Sequence, residues 1–219
     1  DVYKRQGVTL AMLAVGYFGM WEDTMRTLSI ITVCTLLAIL LGIPVGIAMA
    51  RSDRAQSVIT PILDIMQTMP AFVYLIPVVM LLGIGRIPGV IAVIIYAIPP
   101  VIRLTNLGIR LVDKEVLEAA TAYGASPKQR LFGVQLPLAM PTIMAGINQT
   151  IMMALSMVVI ASMIGVKGLG QPVLQSITNQ YFTLGLLNGL AIVALAIIFD
   201  RVSQAYAKRS QRYLGGGHE

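Results

Sequence analysis

Long stretches without a charged side chain are the feature of this sequence that most restricts its fold. Residues 131–166 contain 36 consecutive uncharged residues, and residues 168–199 contain another 32. Two shorter uncharged runs cover 24 residues over 27–50 and 21 residues over 65–85. A helix needs roughly 20 apolar residues to cross a bilayer core about 30 Å thick. The sequence therefore predicts an all-α integral membrane protein with several spans.

Composition excludes the common soluble classes. Only 12% of the residues are charged, about half the share of an ordinary globular domain. An apolar content of 57% excludes disorder. A single cysteine, Cys34, excludes a disulfide scaffold, and with one histidine, His218, no metal site is expected. We attribute the net charge of +6 to basic cytoplasmic loops and expect no nucleic-acid partner.

Six spans account for the apolar segments. They are predicted over about 7–21, 27–50, 58–82, 88–108, 139–164 and 181–200. The first is short for a span, and because the chain begins with Asp1 we expect a fragment without its natural N-terminus. Glycine and proline inside the spans, such as Pro44 and Pro70, indicate either kinked helices along a pathway or the ordinary tolerance of membrane helices.

The basic residues are divided unequally between the two sides of these spans. Three of the 16 Lys and Arg residues (Arg26, Arg86 and Lys167) fall on one side, and the remaining 13 on the other. Because cytoplasmic loops collect Lys and Arg, both termini and the loop over 109–138 are predicted to be cytoplasmic. The predicted organisation is an N-terminal fragment (1–26), a transmembrane domain (27–205) and a cytoplasmic tail (206–219).

Four further charged residues lie near the ends of spans. Asp64 and Arg103 are expected to lie at the membrane interface or to pair with each other. Asp200 and Arg201 end the last predicted span and are expected to be interface anchors.

The loop over 109–138 has the signals of a helix–turn–helix. Asp113 is a favourable N-cap for a first helix. Gly124 supplies the left-handed position that commonly ends a helix. The apolar face of this helix is predicted to consist of Val116, Leu117, Ala120 and Tyr123.

A second short helix of the loop begins at Ser126 and Pro127, an N-cap residue followed by the first-turn position that favours proline. It is predicted to end near Val134, and Pro137 then marks the return to the membrane. Such a compact amphipathic element either docks into a groove of a partner or lies on lipid headgroups, and the residues alone favour neither.

The loop also resembles the EAA motif of permease subunits of bacterial ABC importers. The matching positions, at the spacing of that motif, are Glu118, Ala119, Ala120, Gly124, Val134, Leu136 and Pro137. The one departure is Val134, where the family usually has isoleucine. The resemblance implies a type I importer permease fold whose loop inserts into a cleft of the ATP-binding subunit. It assigns that role to Glu118, Ala119, Gly124 and Pro137.

Residues from about 25 to 205 resemble permeases of the glycine betaine/proline-type osmoprotectant importers. This implies a translocation subunit of a bacterial cytoplasmic membrane, not an enzyme. The implied partners are a second permease copy (a homodimer), ATP-binding subunits, an extracytoplasmic solute-binding protein and membrane lipid. The chain contains no G-x-x-x-x-G-K-[ST] sequence, so ATP is expected to be used by the partner subunit, with no cofactor bound by this chain.

Polar residues inside the spans are candidates for a substrate pathway. They are Gln67, Thr68, Asn148, Gln149, Thr150 and Ser156. Hydrogen bonding between helices is the alternative role for such residues. Aromatic residues, which cage quaternary ammonium groups, make up only 6% of the chain. We therefore expect substrate selectivity to reside in the binding protein.

Three alternatives remain at this stage. One is a permease of the same architecture for another small solute, such as choline or carnitine. An ion-driven secondary carrier would require a carboxylate at mid-membrane and inverted repeats, and we find neither in the sequence. A membrane scaffold that transports nothing would not need the loop over 109–138.

Overall fold

The computed structural model describes the backbone of residues 2–214 and the side chains of residues 6–10 and 12–205. Every regular element in this part of the chain is helical, which confirms the predicted all-α architecture. The helices are α1 (Val2–Tyr17), α2 (Trp21–Arg51), α3 (Asp53–Thr68), α4 (Leu75–Leu82), α5 (Arg86–Ala97), α6 (Pro99–Arg110), α7 (Lys114–Ala122), α8 (Pro127–Arg130), α9 (Leu136–Ala161), α10 (Gly170–Asn179) and α11 (Phe182–Leu214). Two 3₁₀ segments, Ala71–Tyr74 and Ser162–Ile164, and a π-helical turn, Leu131–Gln135, complete the order.

Four segments among the described residues are long and apolar enough to cross a membrane. They are Trp21–Arg51, Arg86–Arg110, Pro127–Ile164 and Phe182–Ala205, each overlapping one predicted span. The predicted first span, 7–21, falls on the shorter apolar helix α1. Helix α11 continues to Leu214, past the predicted start of the tail at residue 206. Residues 215–219, which include His218, lie outside the described residues.

The predicted span over 58–82 is not a single helix. It is a pair of helices, Asp53–Thr68 and Ala71–Leu82, bent by 113°. Met69, the residue before Pro70, is extended (φ −72°, ψ 133°) because the proline ring excludes the helical region there. The described residues therefore contain four candidate spans, or five if the bent pair counts as one, rather than six.

The core forms where α9 packs against α2, α5, α6 and α11. Glycines permit the close approach of these helices: Gly46 on α2 faces Thr105 on α6, and Gly146 on α9 faces Leu104 on α6. Small residues are the usual means of bringing membrane helices together, since lipid is as apolar as a leucine side chain. Pro44 lies inside α2 without ending it. Close packing thus accounts for these glycines.

Hydrogen bonds join distant segments at the two ends of the bundle. At one end, the backbone N–H of Leu169 donates to Thr27 Oγ1 at 2.9 Å. This end contains Arg26 and Lys167, two of the three basic residues predicted to lie on the side opposite the other 13. At the opposite end, Arg110 Nη2 donates to the carbonyl oxygen of Met49 at 3.0 Å and to Asp53 Oδ1 at 2.7 Å. Arg51, which ends α2, and Arg110, which ends α6, therefore lie at the same end as the 109–138 loop.

Replacing Gly46 with alanine is expected to lower the midpoint of thermal unfolding in detergent by about 5 °C, a typical cost of overpacking. The new Cβ would lie 2.6 Å from Thr105 Cβ and 2.8 Å from the Ile102 carbonyl oxygen, and backbone cannot move as a flexible side chain can. Gly189→Ala is the matched control, because nothing lies within 4 Å of a Cβ there. Equal midpoints for the two variants would contradict this packing argument.

Candidate functional site

The first helix of the predicted loop, α7, is capped at both ends. The Asp113 carboxylate accepts a hydrogen bond from the backbone N–H of Glu115 at 2.9 Å, as its N-cap position predicts. At the other end Gly124 has a φ of +79°. The Gly124 N–H donates to Thr121 O at 2.9 Å and the Ala125 N–H to Ala120 O at 3.0 Å. These two bonds form a Schellman motif, so the chain reverses at a position that favours glycine.

The second helix, α8, begins with a capping box. Ser126 Oγ accepts from the backbone N–H of Gln129 at 3.3 Å, and the Ser126 N–H donates to Gln129 Oε1 at 2.8 Å. Pro127 occupies the first turn, as predicted. Arg130 Nη1 donates to Thr121 Oγ1 at 2.9 Å and so connects the second helix to the first. Local bonds alone thus define the shape of the loop.

The predicted end of the second helix near Val134 is wrong. The chain continues without a break from α8 through the π-helical turn Leu131–Gln135 into α9. A proline inside an α-helix lacks an N–H and its ring clashes with the carbonyl group four residues earlier. The wider π-helical turn directly before Pro137 removes that conflict, so the helix continues where the sequence suggested a break. Helix α8 and the span 136–161 therefore form one continuous helix.

Helix α7 and its C-cap residue Tyr123 carry exposed apolar side chains. None of its residues is buried. Tyr123 is 93% exposed and Val116 41% exposed, while Leu117 and Ala120 are half-buried. Of the predicted apolar face, the two ends are therefore exposed and the middle is half-buried.

A shallow groove of about 440 Å³ lies between α7 and α8. It is lined by Lys114, Leu117, Glu118, Thr121, Ala122 and Arg130. Glu118 is exposed there, with no hydrogen bond or ion pair to the described residues. The groove thus offers a carboxylate and basic groups beside an apolar floor, the surface chemistry of a protein–protein contact.

The seven residues predicted from the motif divide into two groups. Glu118, Ala119 and Gly124 are exposed on the projecting part and Ala120 is half-buried. The other three, Val134, Leu136 and Pro137, are half-buried where the loop joins the helix bundle. Leu136 packs on the apolar cluster of Ile109, Leu131, Ala139 and Ile143. The first group can touch a partner, and the second attaches the loop to the membrane helices.

The candidate pathway residues are not brought together at one site. Gln67 and Thr68 are exposed at the bend between α3 and α4. Gln149 and Ser156 are exposed on one face of α9, seven residues apart. Thr150 is fully buried, and its hydroxyl has no hydrogen-bond partner.

The sixth pathway candidate, Asn148, forms hydrogen bonds between two helices, which is the alternative role considered for these polar residues. Its Nδ2 donates to Asp200 Oδ1 at 3.0 Å, and its Oδ1 accepts from Ser203 Oγ at 2.6 Å. Asp200, expected to be an interface anchor, is therefore also a hydrogen-bond acceptor between helices. This contact between α9 and α11 was not predicted.

Two charged pairs, Arg103 with Asp64 and Arg110 with Asp53, lie near the loop end of the bundle. Arg103 donates to the Asp64 carboxylate, which confirms one of the two arrangements expected for these residues. Sequence reasoning did not predict the role of Arg110, which also bonds Asn106 Oδ1 at 3.1 Å. Only its position in the last turn of α6 indicated a contact with helix-end carbonyl groups. Together these pairs fix α3 and the end of α2 to α6.

Comparisons with known proteins agree with this architecture. Residues 38–212 match the family described as "Binding-protein-dependent transport system inner membrane component". The chain is 55% identical over 202 residues to the glycine betaine/proline betaine transport system permease protein ProW of Escherichia coli (strain K12), covering 92% of this chain and 57% of that protein. It is 50% identical to the glycine betaine/carnitine transport permease protein GbuB of Listeria monocytogenes, covering 92% and 72%.

Solved structures show the same fold. A chain of the MetNI methionine ABC transporter in an inward-facing conformation matches with a TM-score of 0.77 at 20% identity, covering 85% of this chain and 93% of that one. The chain spans 57% of the length of ProW, so it corresponds to part of that relative. The matched range, the identity to GbuB and the helical architecture lead to one conclusion: the chain belongs to the family of binding-protein-dependent transport system inner membrane components.

Proposed function

We propose that this chain is the translocation subunit of an ATP-driven importer and that its α7–α8 loop is the contact with the ATP-binding subunit. The observation that carries the proposal is the geometry of the loop. A capped helix presents Tyr123, Val116 and Glu118 to the outside, and the Gly124 turn connects it to α8, from which an unbroken helix continues to the centre of the bundle. A partner that displaces this loop would therefore move a membrane helix through α8, which the Arg130–Thr121 hydrogen bond connects to α7.

The proposed energy input follows from differential binding. ATP binding and hydrolysis would take place in the partner subunit. A partner can shift the permease between two conformations only if it binds the loop differently in its own two states. Two copies of this chain and an extracytoplasmic solute-binding protein would complete the assembly, with membrane lipid around it. The basic end of the bundle, and with it both termini, would face the cytoplasm.

The proposed cargo is glycine betaine or a related compatible solute. Support comes from the names of the relatives, which specify glycine betaine, proline betaine and carnitine. Proline, which the sequence resemblance suggested, lacks the quaternary nitrogen of these compounds. The carnitine in the name of GbuB keeps carnitine as a second candidate.

The arrangement of aromatic side chains also supports the proposal that the solute-binding protein, and not this chain, selects the substrate. Tyr74 and Tyr96 form an edge-to-face pair with ring centroids 5.4 Å apart, and Tyr74 is buried in the core. The Tyr74 hydroxyl donates to the Met66 carbonyl oxygen, across the bend after α3. The two rings thus pack against each other, and the Tyr74 hydroxyl is used in a hydrogen bond. A weakly binding pathway supplied by a selective binding protein fits such a site.

The test is co-purification in a mild detergent with the ATP-binding subunit encoded beside this gene, followed by uptake of labelled glycine betaine in reconstituted vesicles. We expect a stable complex and ATP-dependent uptake. Unlabelled proline betaine and carnitine should compete, and proline should compete less. If no ATP-hydrolysing subunit is retained under gentle conditions, the proposed contact is contradicted. Competition by proline alone would contradict the proposed cargo.

A further inference from the structure

A cluster of polar side chains joins α9 to α11 within the membrane-spanning part of the protein. We name Asn148, Asp200, Ser203 and Gln204 the α9–α11 clasp. Asn148 Nδ2 donates to Asp200 Oδ1 at 3.0 Å, and Ser203 Oγ donates to Asn148 Oδ1 at 2.6 Å. Gln204 Nε2 lies 2.8 and 2.9 Å from the two Asp200 carboxylate oxygens. Both ends of the Asn148 amide are thus satisfied by α11.

The clasp is a strong element because of where it lies. Asp200 and Ser203 belong to the candidate span Phe182–Ala205, in which a carboxylate is costly unless hydrogen-bonded. Ser203 is buried. The span is otherwise lightly packed: 17% of its apolar 18-residue stretch is buried, against 39% to 50% in the other three candidate spans. Ala191 and Leu195 attach α11 to the apolar core, and the polar contacts of the clasp attach the last turns of this span to α9.

The helix that carries Asn148 begins with α8, the second helix of the loop that we propose to contact the ATP-binding subunit. From Pro127 the chain is helical through the π-helical turn and on to Ala161. Asn148 lies 21 residues after Pro127, or about 30 Å along a helix. A displacement of α8 is therefore transmitted to Asn148 through a continuous helix.

We infer that the α9–α11 clasp is a positioning element that makes α11 move with α9 when the α7–α8 loop is displaced. Its residues act on transport through the position of α11 and not by touching the cargo. The inference rests on the proposed function, because it needs a partner that drives the loop. Without the clasp, ATP hydrolysis would continue, but α11 would no longer move together with α9. The amount of cargo transported per ATP hydrolysed would therefore fall.

The first test exchanges the two partners. Asn148→Asp places two carboxylates in contact, and Asp200→Asn removes the charge. We expect each single variant to lower glycine betaine uptake per ATP hydrolysed by about tenfold. The double variant restores one amide and one carboxylate in reversed positions and should recover most of the ratio. Ser29→Ala is a control, because the Ser29 hydroxyl is exposed and donates only within α2, to Met25 O at 2.8 Å. It should leave the ratio unchanged.

The second test replaces the clasp by a covalent bond. In a Cys34→Ala background, Asn148→Cys and Ser203→Cys put one thiol on each side of this contact, with the sulfur at 148 in the place of Asn148 Cγ, one bond short of the oxygen that accepts from Ser203 Oγ. The reduced double-cysteine protein should transport as little glycine betaine per ATP hydrolysed as the single variants do. Oxidation to the disulfide should raise this ratio about tenfold. If oxidation blocks uptake and reduction restores it, α9 and α11 must separate during transport and the inference is wrong.

The outcomes separate this inference from the proposed function. Wild-type vesicles without ATP-dependent uptake would contradict the proposed function, and the inference would fall with it. Wild-type vesicles with ATP-dependent uptake, combined with single clasp variants of unchanged ratio, would contradict the inference alone. If a single variant fails to reach the membrane, the exchanged double variant and the disulfide-linked protein still test the inference.

Discussion

Gly124→Val is expected to abolish glycine betaine uptake while the protein still inserts into the membrane. Gly124 has a φ of +79°, where an L-residue costs roughly 1–2 kcal/mol and a β-branched one more. A Cβ at this position would touch nothing within 4 Å, so the effect acts on the turn and not on packing. A changed turn redirects α7 and removes Tyr123 and Glu118 from the partner. ATP-dependent uptake and membrane level of the variant are the two quantities to measure.

Two further variants make this experiment specific. Asparagine tolerates the left-handed conformation better than valine does, so Gly124→Asn should retain most of the uptake. Gly133→Ala adds a Cβ in equally open space at a glycine without positive φ and should behave as wild type. Uptake by Gly124→Val at the wild-type rate would refute the role of the turn. Loss of uptake in all three variants would point to a general intolerance of this loop.

Tyr123→Ala is expected to weaken retention of the ATP-binding subunit by about thirtyfold, the loss that corresponds to roughly 2 kcal/mol at an aromatic hot spot. Tyr123 is 93% exposed and contributes little to the stability of this chain. Its large ring, on a rigidly capped helix end, can bury a large area at small entropic cost. The measurement is the concentration of ATP-binding subunit needed for half-saturation of detergent-purified permease.

Tyr181→Ala is the matched control for Tyr123→Ala. Tyr181 is also exposed, but it lies before α11 at the end of the bundle opposite the loop. The control should bind the ATP-binding subunit as wild type does. Equal affinities for Tyr123→Ala, Tyr181→Ala and wild type would mean that α7 is not the docking surface. Equal weakening in both variants would indicate a global effect on the permease.

Features of the fold that depend on neighbouring residues could be predicted from the sequence. Three of the four long spans follow from uncharged runs of sufficient length, and the fourth, Arg86–Arg110, follows from an apolar segment interrupted only by Arg103. The caps at Asp113 and Ser126 and the turn at Gly124 follow from bonds that close within five residues. The pairing of Asp64 with Arg103 was one of two expected arrangements, because two opposite charges near one membrane face favour contact.

Features that depend on tertiary context could not be predicted. Pro70 and Pro137 both follow apolar helical sequence, yet the first accompanies a 113° bend and the second follows a π-helical turn in an unbroken helix. The backbone around each proline decides between these outcomes. The bond between Asn148 and Asp200 joins residues 52 positions apart. Sequence alone indicated only that a polar group inside a span needs a partner or a cavity.

The most direct measurement of the central claim is uptake of labelled glycine betaine by vesicles that contain this chain, the ATP-binding subunit and the solute-binding protein. Two energy sources are compared in the same preparation: ATP on the side of the α7–α8 loop, and an imposed sodium or proton gradient without ATP. The account predicts accumulation with ATP and none with either gradient alone. Accumulation driven by a gradient in the absence of ATP would contradict it and identify an ion-driven carrier.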